Sequence, residues 1–265
     1  MQVWSVAAQK GGVGKTTTAV SMAGALACRG KTVLVVDLDP HASLTTYFRC
    51  EQAGAAATVY AWFEAVANGA QLTPEQQVSR TRHPGISVVP GSSAVFAIDR
   101  RFGTVPGMGL VLKRALPAFT NQYDFCVIDC PPTLGTAIVN AVAASDRMIV
   151  PIQTEYLAVR SLDSMLRTLS FIERRQGRIP PTLVVPTMYD CRTRASRDSL
   201  AQLQQHRGIT LWSNVVPIDT KLRDAARTGL PLSLLEPASR GALAYDRLVG
   251  DLLSAEFPTV VRAIG

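Results

Sequence analysis

The chain of 265 residues has five cysteines, at 28, 50, 126, 130 and 191, and no CxxC pair among them. That spacing excludes a disulfide framework. Three histidines (His41, His83 and His206) stand far apart, so neither a Ser-His-Asp arrangement nor a metal-ligand cluster competes for the function. A lone histidine is more often a surface or core residue than a ligand. No apolar run approaches the roughly 18 residues needed to span a bilayer. The first residues enter an apolar strand with no charged leader, hydrophobic region and cleavage site of the secretory kind. Internal repeats, linkers and low-complexity tracts are also missing. The expectation is a reduced, soluble, cytoplasmic protein folded as one domain over residues 1–265.

What the chain does contain suits a packed core. Hydrophobic residues make up 47% of it, which argues against disorder, and the net charge is +7 with a pI near 9.4. The basic surplus is spread along the chain, so it favours a polyanion partner without proving one. Apolar runs of strand length alternate with longer amphipathic segments, the pattern of βαβ units and a mostly parallel sheet with helices on both faces. Strands are expected at 3–8, 33–36, 86–90, 125–129, 147–152, 182–186 and 211–216. Helices are expected at 17–29, 58–68 (capped by Thr58, ended by Gly69), 108–119, 136–144, 158–175, 196–206 and 240–255.

Between the first strand and the first helix lies Gln9-Lys10-Gly11-Gly12-Val13-Gly14-Lys15-Thr16-Thr17. Strand, glycine loop, helix is the setting in which such a motif binds phosphate. Glycines at 11, 12 and 14 let backbone N–H groups turn inward around an anion. The helix that follows aims its positive dipole end and free N–H groups at the same place. Lys15 supplies a cation for the β- and γ-phosphates, and Thr16 a hydroxyl for Mg²⁺. A glycine-rich βα turn that binds nothing would not need both lysines. In a parallel sheet, ligands sit beyond the carboxyl ends of the strands, so Asp39 and Asp129 are expected to converge near the loop. Asp129, between Cys126-Val127-Ile128 and Cys130-Pro131-Pro132, fits the role of holding Mg²⁺ through water. A strand-end aspartate is often merely a helix cap; beside a phosphate loop, the functional reading prevails.

The strict phosphate-loop pattern has glycine where this chain has Gln9, and here position 10 is a second lysine. Lys10-Gly11-Gly12-Val13-Gly14-Lys15-Thr16 resembles the deviant Walker A motif of the ParA/MinD family. The resemblance implies a P-loop NTPase fold, ATP and Mg²⁺ as cofactors, and ATP hydrolysis by an ATP-dependent homodimer. It implies that Lys10 crosses the dimer interface to the partner's nucleotide and that Asp39, in Asp37-Leu38-Asp39-Pro40, orients or activates the attacking water. The family commonly follows that proline with glutamine; this chain has His41. The likeness continues through 186–193 and 216–225 and on to Asp246. It implies that residues near Met188 and Pro217 border the adenine, with Gly11 to Thr17 around the phosphates. It also implies that Arg192 and Lys221, extended by Arg194 and Arg223, hold double-stranded DNA nonspecifically.

Within the family, the segments 39–48 and 219–225 look most like the ParA-like ATPases that position chemotaxis arrays, with chromosome- and plasmid-partitioning ParA close behind. The implied setting is the nucleoid, with a ParB-like or other adaptor stimulating hydrolysis. No helix-turn-helix extension precedes the loop, so repressor activity is not expected. Three other classes fit the residues less well. A MinD-like membrane ATPase needs a basic amphipathic C-terminal helix, which Phe257 to Gly265 does not resemble. An iron–sulfur reductase needs a second cysteine to match Cys130, and 86–105 offers only Ser92 and Ser93. A metabolic P-loop enzyme needs a small-substrate pocket that no motif here announces.

Overall fold

The apolar runs of strand length become a sheet buried on both sides. The computed structural model describes residues 1–50 and 54–254. Its strands are β1 (Gln2–Val6), β2 (Val33–Asp37), β3 (Ser79–Arg80), β4 (Ile86–Val89), β5 (Phe125–Asp129), β6 (Arg147–Gln153), β7 (Thr182–Thr187) and β8 (Thr210–Leu211). They form one sheet in the order β3-β4-β2-β5-β1-β6-β7-β8, parallel except for the β3–β4 pair. Odd and even positions go to opposite layers. Val3, Leu34, Val36, Cys126, Ile128 and Val150 pack with the helices Tyr60–Ala67, Thr136–Ala144 and Ala158–Gln176. Trp4, Val6, Val33, Val35, Val127 and Ile149 pack with Lys15–Cys28 and Arg240–Ser254. Strands covered on both faces read as continuous apolar runs, which is why β2 and β5 are legible in the sequence.

β1 lies between β5 and β6: the chain steps outward as β6-β7-β8 on one side, and β5, β2, β4 and β3 lie on the other. A ligand crevice is expected at such a reversal, beyond the carboxyl ends of the strands. The register brings Asp37 of β2 level with Asp129 of β5.

Four expected elements differ. The first helix starts at Lys15 rather than 17, because Gly14 in a left-handed conformation (φ 91°) turns the chain directly into it. Thr58 does not cap the next helix: its hydroxyl donates to the Ala55 carbonyl at 2.7 Å, and the helix begins at Tyr60. Its end is as expected, with Gly69 at φ 65° and the Ala70 amide returning to the Ala65 carbonyl. The span 108–119 is three short pieces, Met108–Leu110, Val111–Ala115 and Leu116–Phe119. Pro117 lacks the N–H that would continue the α-helical ladder and disfavours helical backbone before it. The strand expected at 211–216 shrinks to Thr210–Leu211. The Trp212 amide still reaches the Val184 carbonyl of β7 at 2.9 Å while its indole N–H donates to Asp251 at 2.8 Å, and the chain returns to β7 where the Val216 amide meets the Pro186 carbonyl. The tail Phe257–Gly265 lies outside the described residues, as does residue 255 of the last helix.

Candidate active site

β1 delivers the glycine loop to the sheet's carboxyl edge, and the loop's own geometry leaves an anion cradle. Gly12 (φ 79°) and Gly14 (φ 91°) hold backbone conformations that side chains disfavour. A Cβ on Gly11 or Gly12 would meet no protein atom within 4 Å; it would project into the open side of the loop. Below it the helix Lys15–Cys28 presents the unbonded N–H groups of its first turn. Val13 is buried, and its carbonyl accepts the Thr187 hydroxyl at 2.9 Å, tying the loop to the end of β7. Lys15 is only 7% exposed and donates to the Lys10 carbonyl at 3.3 Å. Burial holds its ammonium below the usual lysine value, opposed by the charges of Asp129, Asp39 and the Cys130 thiol. The buried cation faces the place where phosphate charge arrives.

The acids converge as expected. Asp129 is fully buried and accepts the Thr16 hydroxyl at 2.7 Å on one oxygen, while the other oxygen, Oδ1, has no hydrogen-bond partner among the described residues. A buried carboxylate oxygen without a donor is costly unless something else satisfies it. Together with the Thr16 hydroxyl, it suits a hard, oxygen-seeking cation such as Mg²⁺. Asp39 is 7% exposed and accepts the His41 amide at 2.9 Å. His41 itself turns aside, its ring edge-on to Phe96 with centroids 5.5 Å apart.

Asp37 is the residue sequence reasoning passed over, although it stands in the same Asp-Leu-Asp run. It is fully buried and accepts the Thr45 amide and hydroxyl at 2.9 and 2.6 Å, and the Asp39 amide at 3.1 Å. Gly91 admits this packing; a Cβ there would come within 2.8 Å of the carboxyl carbon. Burial drives Asp37 up to about 6 despite those bonds, and burial followed by the charge of Asp37 drives Asp129 well above the carboxylate range. A raised acid binds its proton more tightly folded than unfolded, so this contribution is most favourable at low pH. It is lost as pH rises from the ordinary aspartate value of 3.8 through about 6. Asp37→Asn is expected to gain stability relative to wild type by up to about 3 kcal/mol between pH 4 and 6.5. Urea melts of the nucleotide-free protein at the two pH values measure it; a pH-independent difference would contradict the assignment.

Beside the loop, a cleft of about 250 Å³ is lined by Gly14, Thr17, Met188, Pro217, Ile218 and Tyr245, among others. Met188 and Pro217 therefore stand next to the loop, as the adenine expectation requires. Met188 is held at φ 52°, and its methyl lies 3.8 Å from where a Gly14 Cβ would be. Tyr245, bonded to Thr18 at 2.9 Å, closes the floor; only its place on the last helix brings it there. The basic residues differ in what they touch. Arg223 lines this same cleft. Arg192 forms a two-point contact with Asp190 at 2.9 and 2.8 Å, Arg194 pairs with Asp198 at 3.3 Å, and Lys221 pairs with Glu236. Lys10 pairs with Glu155, with 36% of its side chain exposed.

Fold and loop together define a P-loop NTPase. A family profile described as an AAA domain matches residues 1–180. Among curated proteins, the chain is 33% identical to the chromosome partitioning protein ParA of Caulobacter vibrioides, over 97% of this chain and 95% of that one. It is 31% identical to the sporulation initiation inhibitor protein Soj of Bacillus subtilis, over 92% and 95%. Among solved structures it resembles a cobyrinic acid a,c-diamide synthase of Mycobacterium smegmatis with bound ADP and magnesium. The identity there is 31%, the TM-score 0.78, and the coverage 96% of this chain and 94% of that one. The chain belongs to the ParA/MinD-type P-loop ATPases. It is thereby an ATP-hydrolysing enzyme, with ATP and Mg²⁺ as the cofactors that its donor set fits.

Proposed function

We propose that the protein is an ATP-controlled dimer that rides on nucleoid DNA in the cytoplasm and positions or segregates a cargo, a chemotaxis array or a chromosome or plasmid, until an adaptor stimulates hydrolysis. Lys10 carries the reading. Its ammonium engages Glu155 and is exposed at the rim, not committed to its own loop as Lys15 is. A half-exposed ion pair of this kind is worth about 0–1 kcal/mol, so exchange for a nucleotide phosphate on a second subunit costs little. In the assembled site Gly11 to Thr17 cradle the phosphates, Met188 and Pro217 flank the base, and Thr16 and Asp129 hold Mg²⁺. The metal supplies charge neutralisation at the transferring phosphoryl group. Asp39 positions the attacking water, and the donors are set in place before charge develops.

The DNA half rests on Arg192, Arg194, Lys221 and Arg223. Three of the four are paired with carboxylates while their own side chains stay 51–87% exposed, so phosphates can compete for them. Dimerisation doubles the patch, so two weak sites gain through effective concentration. Binding to random-sequence duplex DNA is expected only with ATP. Its log–log salt slope should be about −0.9 per phosphate contacted, and Lys221→Ala should make the slope shallower by about one. Equal binding in ATP and ADP, or none in any state, would remove the DNA role. The likeness to the synthase of Mycobacterium smegmatis supports a second reading, an ATP-dependent synthetic enzyme; ATP consumption that depends on cobyrinic acid would establish it.

A further inference from the structure

The helices Thr136–Ala144 and Ala158–Gln176 run side by side and leave a channel between them, unused by the nucleotide site. Its wider part, about 510 Å³, lies between Leu134, Ile138 and Val139 on one side and Arg167, Thr168 and Phe171 on the other. Leu134 is 56% exposed and Phe171 58%, a large apolar surface to leave in water at one spot. Further along the same helix pair, a small pocket brings together Lys113 and Arg178 beside Val142 and Gln176. Arg167 lines the apolar groove itself, and Arg175 stacks its guanidinium on the Phe171 ring at 4.9 Å, while Lys113 and Arg178 belong to the separate, smaller pocket.

Charge decides what fits. Arg167, Arg175, Arg178 and Lys113 have no carboxylate partner among the described residues, unlike Arg192, Arg194 and Lys221. The acids nearby are otherwise engaged. Asp99, at the Gly135 end, accepts the Thr136 amide and hydroxyl, and Asp163 pairs with His206. Glu173 is the remaining carboxylate on the helix, beside Arg174. Unpaired cations around an apolar floor complement a segment with apolar anchors on one face and carboxylates beside them. Thr136–Ala144 is nine residues long, so it offers about two and a half turns of surface to a helix laid along it.

We infer that this channel is a docking groove for an acidic amphipathic helix of a partner protein. A docked helix would reach the nucleotide loop through one residue. Gln9 accepts from the Ser164 hydroxyl and donates to Thr168, and both residues line the groove. Gln9 occupies the position where the strict loop pattern has glycine, and the structure assigns its side chain to this contact. The inference does not depend on the DNA role.

The test uses the full chain and two fluorescein-labelled helical peptides of about four turns. Both have Leu and Phe at i, i+3, i+4 and i+7; one has Glu at the flanking positions, the other Lys. Fluorescence anisotropy is expected to show the Glu peptide binding at least about tenfold tighter than the Lys peptide. Arg167→Glu with Arg178→Glu should remove that preference, and Phe171→Ser should weaken the Glu peptide about tenfold with the circular dichroism spectrum intact. Equal affinity for the two peptides, or none below about 1 mM, would overturn the inference. So would an altered mass by light scattering in the arginine variants without peptide, which would make a second copy the occupant. Loss of DNA affinity in those variants with peptide binding intact would assign the groove to nucleic acid. Absence of DNA binding by the wild type leaves this result readable, so the two readings fail separately.

Discussion

Lys15→Ala is expected to lower nucleotide affinity by about 10²–10⁴, the loss of two charge-assisted contacts of roughly 1.5–3 kcal/mol each. The side chain is buried beneath the loop and is the cation nearest the Asp129 and Asp39 charges. An ammonium already stripped of water gives up little hydration when phosphate arrives, and this makes its contribution large. Lys15→Arg is not expected to restore binding, because a planar fork cannot occupy the place of a compact point charge. Titration with a fluorescent ATP analogue measures the loss. A melt of the nucleotide-free variant separates it from folding, since removing Lys15 also leaves the buried acids without their cation. Affinity within tenfold of wild type would rule out this role for Lys15.

Asp39→Asn is expected to bind ATP as wild type does, to hydrolyse it about 10²–10⁴ times more slowly, and to persist as a dimer. Asparagine is the cleaner substitution. The Asp39 carboxylate accepts the His41 amide just before Ala42, which holds a left-handed conformation at φ 51°, and the asparagine carbonyl keeps that bond. Alanine would free a backbone donor at a cost of about 1–3 kcal/mol and confuse a fold effect with a chemical one. Single-turnover phosphate release reads the chemistry, and light scattering with ATP reads the assembly. A wild-type rate, or a monomer in ATP, would contradict the assignment. His41 stacks edge-on against Phe96 beside Asp39, so His41→Gln is the companion that shows whether this neighbour matters.

Both experiments concern residues legible in the sequence, for a physical reason. Gly12 and Gly14 are required by local backbone angles, β2 and β5 by burial on both faces, and the helix Ala158–Gln176 by its own apolar period. Each of these constraints acts within a few residues and leaves its trace in order along the chain. The fold class followed from them, as did Lys15, Thr16 and the strand-end acids; the family came from the resemblance of residues 10–16 to the deviant Walker A motif.

Contacts between distant segments leave no such trace. That Asp37 lies level with Asp129 depends on strand register. That Thr187 braces Val13, or that Tyr245 floors the cleft, depends on where β7 and the last helix pack. The same holds for Arg223, which faces the nucleotide cleft, and for the carboxylates that neutralise Arg192, Arg194 and Lys221. The sequence by itself determined that this protein has a phosphate loop, two acids beyond the strands and a parallel sheet to hold them. Only the tertiary structure decided which buried acid shares their field, which cations are left unpaired, and that Gln9 reaches the groove between two helices. Periodicity and backbone angles are properties of neighbours in the chain; charge pairing and burial are properties of neighbours in space.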